Sequence, residues 1–308
     1  MKIIILGANK VGAALAENLA KEANDITVVD PSSVKLRELK DRLDIATVEG
    51  QVSYPEVLDS AGARDADMLI AITDSDEVNL IACQIAYSLF RTPKKICRLR
   101  SNSYVAEPKL FSTEAIPIDV VISPEQEVSL YIQKLIDLPG ALQVLDFSDG
   151  LVQLVGVKAT QGGLLINQEI SALREHMPNV DTRVAAIFRR NRPIIPAGDT
   201  VIEEGDEVFF IAARENIRDV MSELRRVDKP YKKIMIAGGG NIGERLAALL
   251  EKSYRVKVIE TNYERCKDLT EKLKSTTVLH GDASDMEMLV GENIEDTDIF
   301  LALTNNDD

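Results

Sequence analysis

The sequence predicts an α/β protein built on doubly wound parallel sheets, with a small α+β domain between two such units, the second of them partial. Three observations predict it. Short apolar runs end in glycine turns, stretches of helical periodicity follow them, and the opening pattern returns after a shift of 231 positions, from Ile3 to Ile234.

Ile3 to Leu6 form a continuous apolar run, as suits a parallel strand buried on both faces. A turn follows at 7–12, and Val11, Leu15 and Leu19 then recur at helical spacing. Residues 26–29 read as a second strand ending at Asp30, Pro31 and Ser32 lead into a charged helix, and 46–48 form a brief third strand. After a turn and another helix, 68–72 is the fourth strand, followed by Thr73, Asp74, Ser75 and Asp76. The helix predicted at 77–90 is apolar on more than one face (Leu80, Ile81, Ile85, Ala86, Leu89), so it packs on both sides, with a partner subunit as one candidate cover. Residues 95–99 are the fifth strand and 120–122 a sixth. Pro124 opens a helix whose stripe Val128, Tyr131, Ile132 and Leu135 suits a link between domains, a dimer seam or packing on its own sheet.

Pro139 and Gly140 mark a boundary. Beyond it, strands are predicted at 142–147, 151–157, 184–189, 193–195 and 208–213, with Asp149-Gly150 as a hairpin signal and helices near 167–175 and 217–224. A charged stretch around Pro230 leads to the next unit. The expected domains are therefore 1–123, a connecting helix at 124–138, a small α+β domain at 139–226, and a second nucleotide-binding unit at 232–308.

Under the same shift Gly7 falls on Gly238, Gly12 on Gly243, Gly50 on Gly281 and Thr73 on Thr304, while one residue of slip brings Asp30 onto Glu260. The second copy stops just after its fourth strand, so the chain is expected to be a fragment of a longer protein.

The second turn, Gly238-Gly239-Gly240-Asn241-Ile242-Gly243, satisfies G-x-G-x-x-G between a strand and a helix. Its glycines serve the tight turn, the approach of a pyrophosphate and helix–strand packing, and the phosphates sit on a helix N-terminus. The first turn, Gly7-Ala8-Asn9-Lys10-Val11-Gly12, has Asn9 at the middle glycine. Its side chain is expected to crowd the ligand or push the turn back; the competing reading is that its amide donates to a phosphate. Lys10 reads as a solvated lysine or as added charge near the phosphates. Asp30 and Glu260, each closing the next strand, can accept ribose hydroxyls and would repel a 2′-phosphate.

The remaining composition excludes more than it assigns. A net charge of −14 disfavours nucleic-acid binding. No apolar run approaches the ~20 residues of a membrane span, and the N-terminus lacks a signal peptide's pattern, so a cytoplasmic protein is expected. Three separated cysteines read as buried hydrophobes in a reducing compartment. Two histidines, His176 and His280, supply neither a metal cluster nor a triad, and Asp74, Asp76 and Glu77 are explained by helix capping. No catalytic residue and no metal site is expected.

These residues resemble a known family. The turn at Gly7, Asp30, the run from Thr73 to Asn79, the strand Lys95-Ile96-Cys97-Arg98-Leu99-Arg100, and the middle segments from Pro193 to Thr200 and Glu204 to Asp206 are similar to the nucleotide-binding regulators of potassium conductance. The resemblance covers essentially the whole chain. It implies that dinucleotide contacts fall on Gly7, Ala8, Asn9, Lys10 and Val11 at the phosphates, Asp30 at the ribose, Thr73 and Asp74 after the fourth strand, and Arg98 reaching in from the fifth. In the second copy they fall on the turn from Gly238 to Gly243, on Glu260 and on Thr304. It further implies NAD(H), with ATP or ADP, bound as effectors without turnover. The implied partner is a membrane-embedded potassium-transporting subunit of the Trk type, with this chain peripheral on the cytoplasmic side and at least dimeric. The rival reading, an NAD-dependent oxidoreductase, suffers from the scarcity of histidines and from a nucleotide unit that one hydride transfer does not need twice.

Overall fold

The computed structural model describes residues 1–226 and 230–304. Its contacts divide the chain into two compact units, Met1–Glu127 and Val128–Asp308.

The first unit is a six-stranded parallel sheet in the order β3-β2-β1-β4-β5-β6. Its strands are β1 (Lys2–Leu6), β2 (Asp25–Asp30), β3 (Ala46–Glu49), β4 (Met68–Ala71), β5 (Lys94–Arg98) and β6 (Val120–Ile122), joined through α1 (Lys10–Ala20), α2 (Ser33–Lys40), α3 (Pro55–Ser60), α4 (Asp76–Ile85) and α5 (Asn102–Val105). Alternation along β1 explains why the opening run is apolar throughout. Ile3 and Ile5 enter the core with Ala16, Leu36 and Leu39, while Ile4 and Leu6 enter the opposite one with Leu58, Leu80 and Cys83. β1 pairs with β2 on one side and β4 on the other, so the strand order reverses at the end of β1. In open α/β sheets that is where a ligand crevice forms.

The helix expected at 77–90 starts at Asp76 and widens into a π-helical turn at Ala86–Phe90, closed by Arg91 in the left-handed region (φ 58°). One of its apolar sides is buried through Leu80, Ala82, Cys83 and Ala86; Ile81 and Leu89 remain more than half exposed.

α6 (Pro124–Asp137) runs from the first unit into the second. The second unit holds two sheets. One is antiparallel, β10-β9-β11-β8-β7, from β7 (Ala141–Phe147), β8 (Val152–Lys158), β9 (Thr182–Arg189), β10 (Arg192–Ile194) and β11 (Glu207–Ala213), with α7 (Ala172–His176) and α8 (Ile217–Leu224). The helix expected at 167–175 is thus confined to α7. The residues before it are pulled into tertiary pairing, Ile166 with Ile202 and Glu169 with Val201, and Asn167 is left-handed (φ 62°).

The other sheet is parallel, β14-β13-β12-β15, and repeats the order of the first four strands of the first unit. It comprises β12 (Lys233–Ala237), β13 (Arg255–Glu260), β14 (Thr277–His280) and β15 (Ile299–Ala302), with α9 (Asn241–Leu250), α10 (Tyr263–Lys272) and α11 (Met286–Gly291). Within this unit the α6 stripe is a link: Leu135 packs on the core of the antiparallel sheet, and Ile132 and Ile136 pack on that of the parallel one. Val128 stays exposed. Among the described residues, no helix is long and apolar enough to cross a membrane.

Candidate nucleotide-binding clefts

The turns after β1 and β12 are the same object built twice. Gly7 (φ +110°) and Gly238 (φ +106°) adopt a conformation that disfavours side chains. Their N–H groups donate to Val29 and Ile259, both at 2.8 Å. A Cβ on Gly12 would lie 2.0 Å from the Gly7 carbonyl oxygen, and one on Gly243 would lie 2.0 Å from that of Gly238. The first and last glycines are therefore dictated by a helix seated directly on its strand.

The acidic residues do structural work before any ligand arrives. The Asp30 carboxylate, 6% exposed, accepts from Ala8 N–H at 2.7 Å and from Ser32 N–H at 2.8 Å. Glu260 accepts from Gly239 N–H and Asn262 N–H, each at 2.8 Å. An ionised carboxylate offers about four lone-pair sites, so ribose hydroxyls can share these oxygens. Partial burial opposes the charged form of Glu260, but the N–H groups of Asn262 and Gly239 and the Thr261 hydroxyl outweigh it and hold the carboxyl below its ordinary value.

At Asn9 the structure answers one half of the steric expectation, that the turn is displaced. Asn9 (φ −74°, ψ 178°) and Gly240 (φ −65°, ψ −168°) share one backbone conformation, and a Cβ on Gly240 would meet nothing within 4 Å. The turn is not pushed back. The amide instead caps α1: its Oδ1 accepts from Gly12 N–H at 3.0 Å, while Nδ2 donates to the Ile72 carbonyl at 2.8 Å and to Asp74 at 3.4 Å. In the second copy no side chain caps α9, and the turn is held from another side. Arg265 of α10 donates to the Gly239 carbonyl at 2.8 Å and pairs with Glu244 at 2.5 Å.

Lys10 and Asn241, the first residues of α1 and α9, are exposed; Ala8 is buried, Val11 exposed and Ile242 half-buried. Thr73 lies just beyond β4, its N–H and hydroxyl both donating to Asn79 Oδ1, at 2.9 and 2.6 Å. Asn79 is fully buried, and its Nδ2 donates to the Arg98 carbonyl at 3.0 Å, tying the ends of β4 and β5. Asn79 was not singled out as a site residue; its signals were its place at the end of the run from Thr73 and an amide between Val78 and Leu80 in an apolar helix. Exposed Asp74 pairs with Arg100 at 2.5 Å, and buried Asp76 accepts from the N–H groups of Arg100 and Ser101.

Arg98, at the end of β5, is engaged by an acidic partner. Its guanidinium, 11% exposed, is held by Glu125 in the first turn of α6 at 3.0 Å. Thr304 is the last described residue, just past β15. His280 contacts the Thr261 carbonyl at 3.0 Å and the Tyr263 ring edge-on, and His176 contacts Glu223 at 2.8 Å, remote in sequence from both turns. Among the described residues, no group of three or more His, Cys, Asp or Glu side chains could hold a metal ion.

A repeated strand–turn–helix with an acidic residue closing the next strand defines a dinucleotide-binding type of α/β unit, and comparison places it. The TrkA-N domain matches residues 3–124 and again 234–308, with a TrkA-C domain matched at 154–225 between them, and the chain belongs to this family. It is 64% identical over its whole length to the Trk system potassium uptake protein TrkA of Halomonas elongata, of which it spans 67%. In architecture it is similar to the GsuK channel bound to NAD (TM-score 0.68, 18% identity, 99% of this chain and 53% of that one). It is also similar to GsuK bound to ADP (TM-score 0.56, 16% identity, 99% and 54%).

Proposed function

We propose that this chain is a non-enzymatic regulator that senses NAD(H) and the adenine nucleotides ATP and ADP and controls a membrane-embedded potassium-transporting subunit of the Trk type. It would dock peripherally on the cytoplasmic side. One observation carries the reading: the turn, the helix seated directly on its strand and the acidic anchor are built twice, at Gly7–Asp30 and at Gly238–Glu260. A sensor gains from a second adenine-nucleotide cleft, whereas a single hydride transfer does not use it. The name of the Halomonas relative and the ligands of the two GsuK structures support the ion and the effectors.

The contacts would fall on Gly7 to Gly12, Asp30, Thr73 and Asp74 in the first cleft, and on Gly238 to Gly243, Glu260 and Thr304 in the second. Arg98 would reach into the first cleft from the end of β5, with Glu125 as its acidic partner. We take the functional divisions to be 1–123, 139–226 and 232–308, with 124–138 as the connecting helix. Coupling to the membrane subunit works by population shift: a nucleotide favours one arrangement only by its differential affinity, typically ~1–3 kcal/mol.

The test is potassium flux through vesicles carrying the membrane subunit, with the full-length regulator added and nucleotide varied. Flux should change with nucleotide while bound NADH stays reduced in the presence of candidate substrates; flux indifferent to nucleotide, or NADH consumed, overturns the reading. The reading includes self-association through the exposed side of α4 and the π-helical turn that continues it, where Ile81 and Leu89 face solvent. Light scattering should give at least a dimer, and monomer throughout the micromolar range would exclude it.

A further inference from the structure

We propose that Asn9 sets the specificity of the first cleft, making it a mononucleotide site, while Gly240 leaves the second open to dinucleotides. The proposal rests on the nucleotide-binding reading above and concerns which adenine nucleotide each cleft accepts.

The Asn9 amide is a bridge with three attachments. Oδ1 holds Gly12 N–H, the third amide of α1, and Nδ2 reaches across to the Ile72 carbonyl at the end of β4 and to Asp74 beyond it. It therefore spans the gap between the phosphate turn and the end of β4. A dinucleotide whose adenosine ribose sits on Asp30 must carry its pyrophosphate over this turn, then seat its second half beyond the β1–β4 switch point. That route crosses the bridge. Seating the second half means releasing the Ile72 carbonyl, rotating Asn9 off a cap that α1 uses, and passing the carboxylate of Asp74.

A mononucleotide makes no such crossing. Its phosphates end over the turn, where the first amides of α1 point outward and Lys10 is exposed. Ribose recognition at Asp30 is the same for either ligand, so the discrimination arises at the bridge alone.

The second copy shows the same backbone without the obstruction. Gly12 and Ile72 correspond to Gly243 and Leu303. At Gly240 an added Cβ meets open space, and no side chain caps α9. Its stabilising contact comes from Arg265, which holds the Gly239 carbonyl from α10 and leaves the space over Gly240 clear. The middle glycine is thus retained where a pyrophosphate passes and replaced by a bridge where it does not.

The experiment is calorimetric titration of the 308-residue chain carrying Glu260→Ala, so that binding reports on the first cleft, with ADP and NADH as probes. With Asn9 in place, ADP should bind at least about tenfold more tightly than NADH. Asn9→Gly should raise NADH affinity about tenfold and move ADP far less. Asn9→Ser, which keeps an acceptor for the Gly12 N–H and loses the reach to Ile72, should do the same, so loss of the cap is not the cause. NADH already matching ADP in the Asn9 chain, or unmoved in both variants, overturns the inference and leaves the nucleotide-binding reading standing. Neither probe binding the first cleft in any variant overturns both, a different result.

Discussion

The two phosphate turns share a backbone and differ in what fastens it. After β1 the fastening is a side chain of the turn itself, Asn9, which reaches across to β4. After β12 it is a side chain from outside, Arg265 of α10, which takes the Gly239 carbonyl and is itself held by Glu244 and Asp268. The comparison separates two demands on a glycine turn. Positions 7 and 12, like 238 and 243, answer to chain geometry. Positions 9 and 240 are free of that demand, and what stands there decides what can lie above the turn.

The largest effect should come from the shared demand. Gly12→Ala and Gly243→Ala each place a methyl 2.0 Å from a carbonyl oxygen, so helix and strand must separate. Overpacking of this kind costs about 1–3 kcal/mol or more. Both variants should lower the melting temperature of their unit to a similar degree. A tolerated Gly243→Ala beside a ruinous Gly12→Ala would mean that the copies are less alike than their hydrogen bonds.

Next is the acidic anchor. Asp30→Ala removes a charged acceptor from the ribose and also releases Ala8 N–H. Hydrogen bonds to charged groups contribute ~1.5–3 kcal/mol, so ADP affinity at the first cleft should fall by about tenfold or more. Unchanged calorimetry would place the ribose elsewhere.

A smaller effect, in the second unit, depends on pH. Burial opposes the charged forms of Glu251 and Glu260, but the amides of Ser275, Lys274 and Thr276 for the one, and of Asn262 and Gly239 for the other, lower both carboxyls below their ordinary value of 4.5. Groups lowered by folding contribute stability that is complete above that value and is lost as pH falls through the lowered one. The difference in urea midpoint between the parent chain and Glu251→Gln or Glu260→Gln should therefore be full at neutral pH and shrink in acid. A gap independent of pH would show that these carboxylates act by packing alone.

The smallest effect is the reciprocal swap. Gly240 has a backbone that admits a side chain, and asparagine caps a helix better than glycine by only a few tenths of a kcal/mol. Gly240→Asn should raise the melting temperature slightly while weakening NADH at the second cleft; tighter NADH binding there would break the contrast.

Much of the architecture was readable in residue order because it rests on local rules. Strand runs such as Ile3 to Leu6, the outer glycines, and acids at the ends of β2 and β13 follow from periodicity and backbone conformation, and the repeat confirms each by its counterpart. The helix expected at 167–175 was not readable. Its helical pattern competes with bridges to Val201 and Ile202, which residue order does not bring near.

By itself, then, the sequence determined two dinucleotide-type turns, their acidic partners and the sheets that carry them, since these depend on neighbours a few residues away. Only the tertiary structure decided what the side chains at those turns hold. Asn9 meets Ile72, Asp76 meets the Arg100 and Ser101 amides, and Arg98 pairs with Glu125. Each of those partners becomes a neighbour only once β1, β4 and β5 lie side by side and the chain has continued into α6. Sheet order sets those distances, and composition at any one position does not encode it.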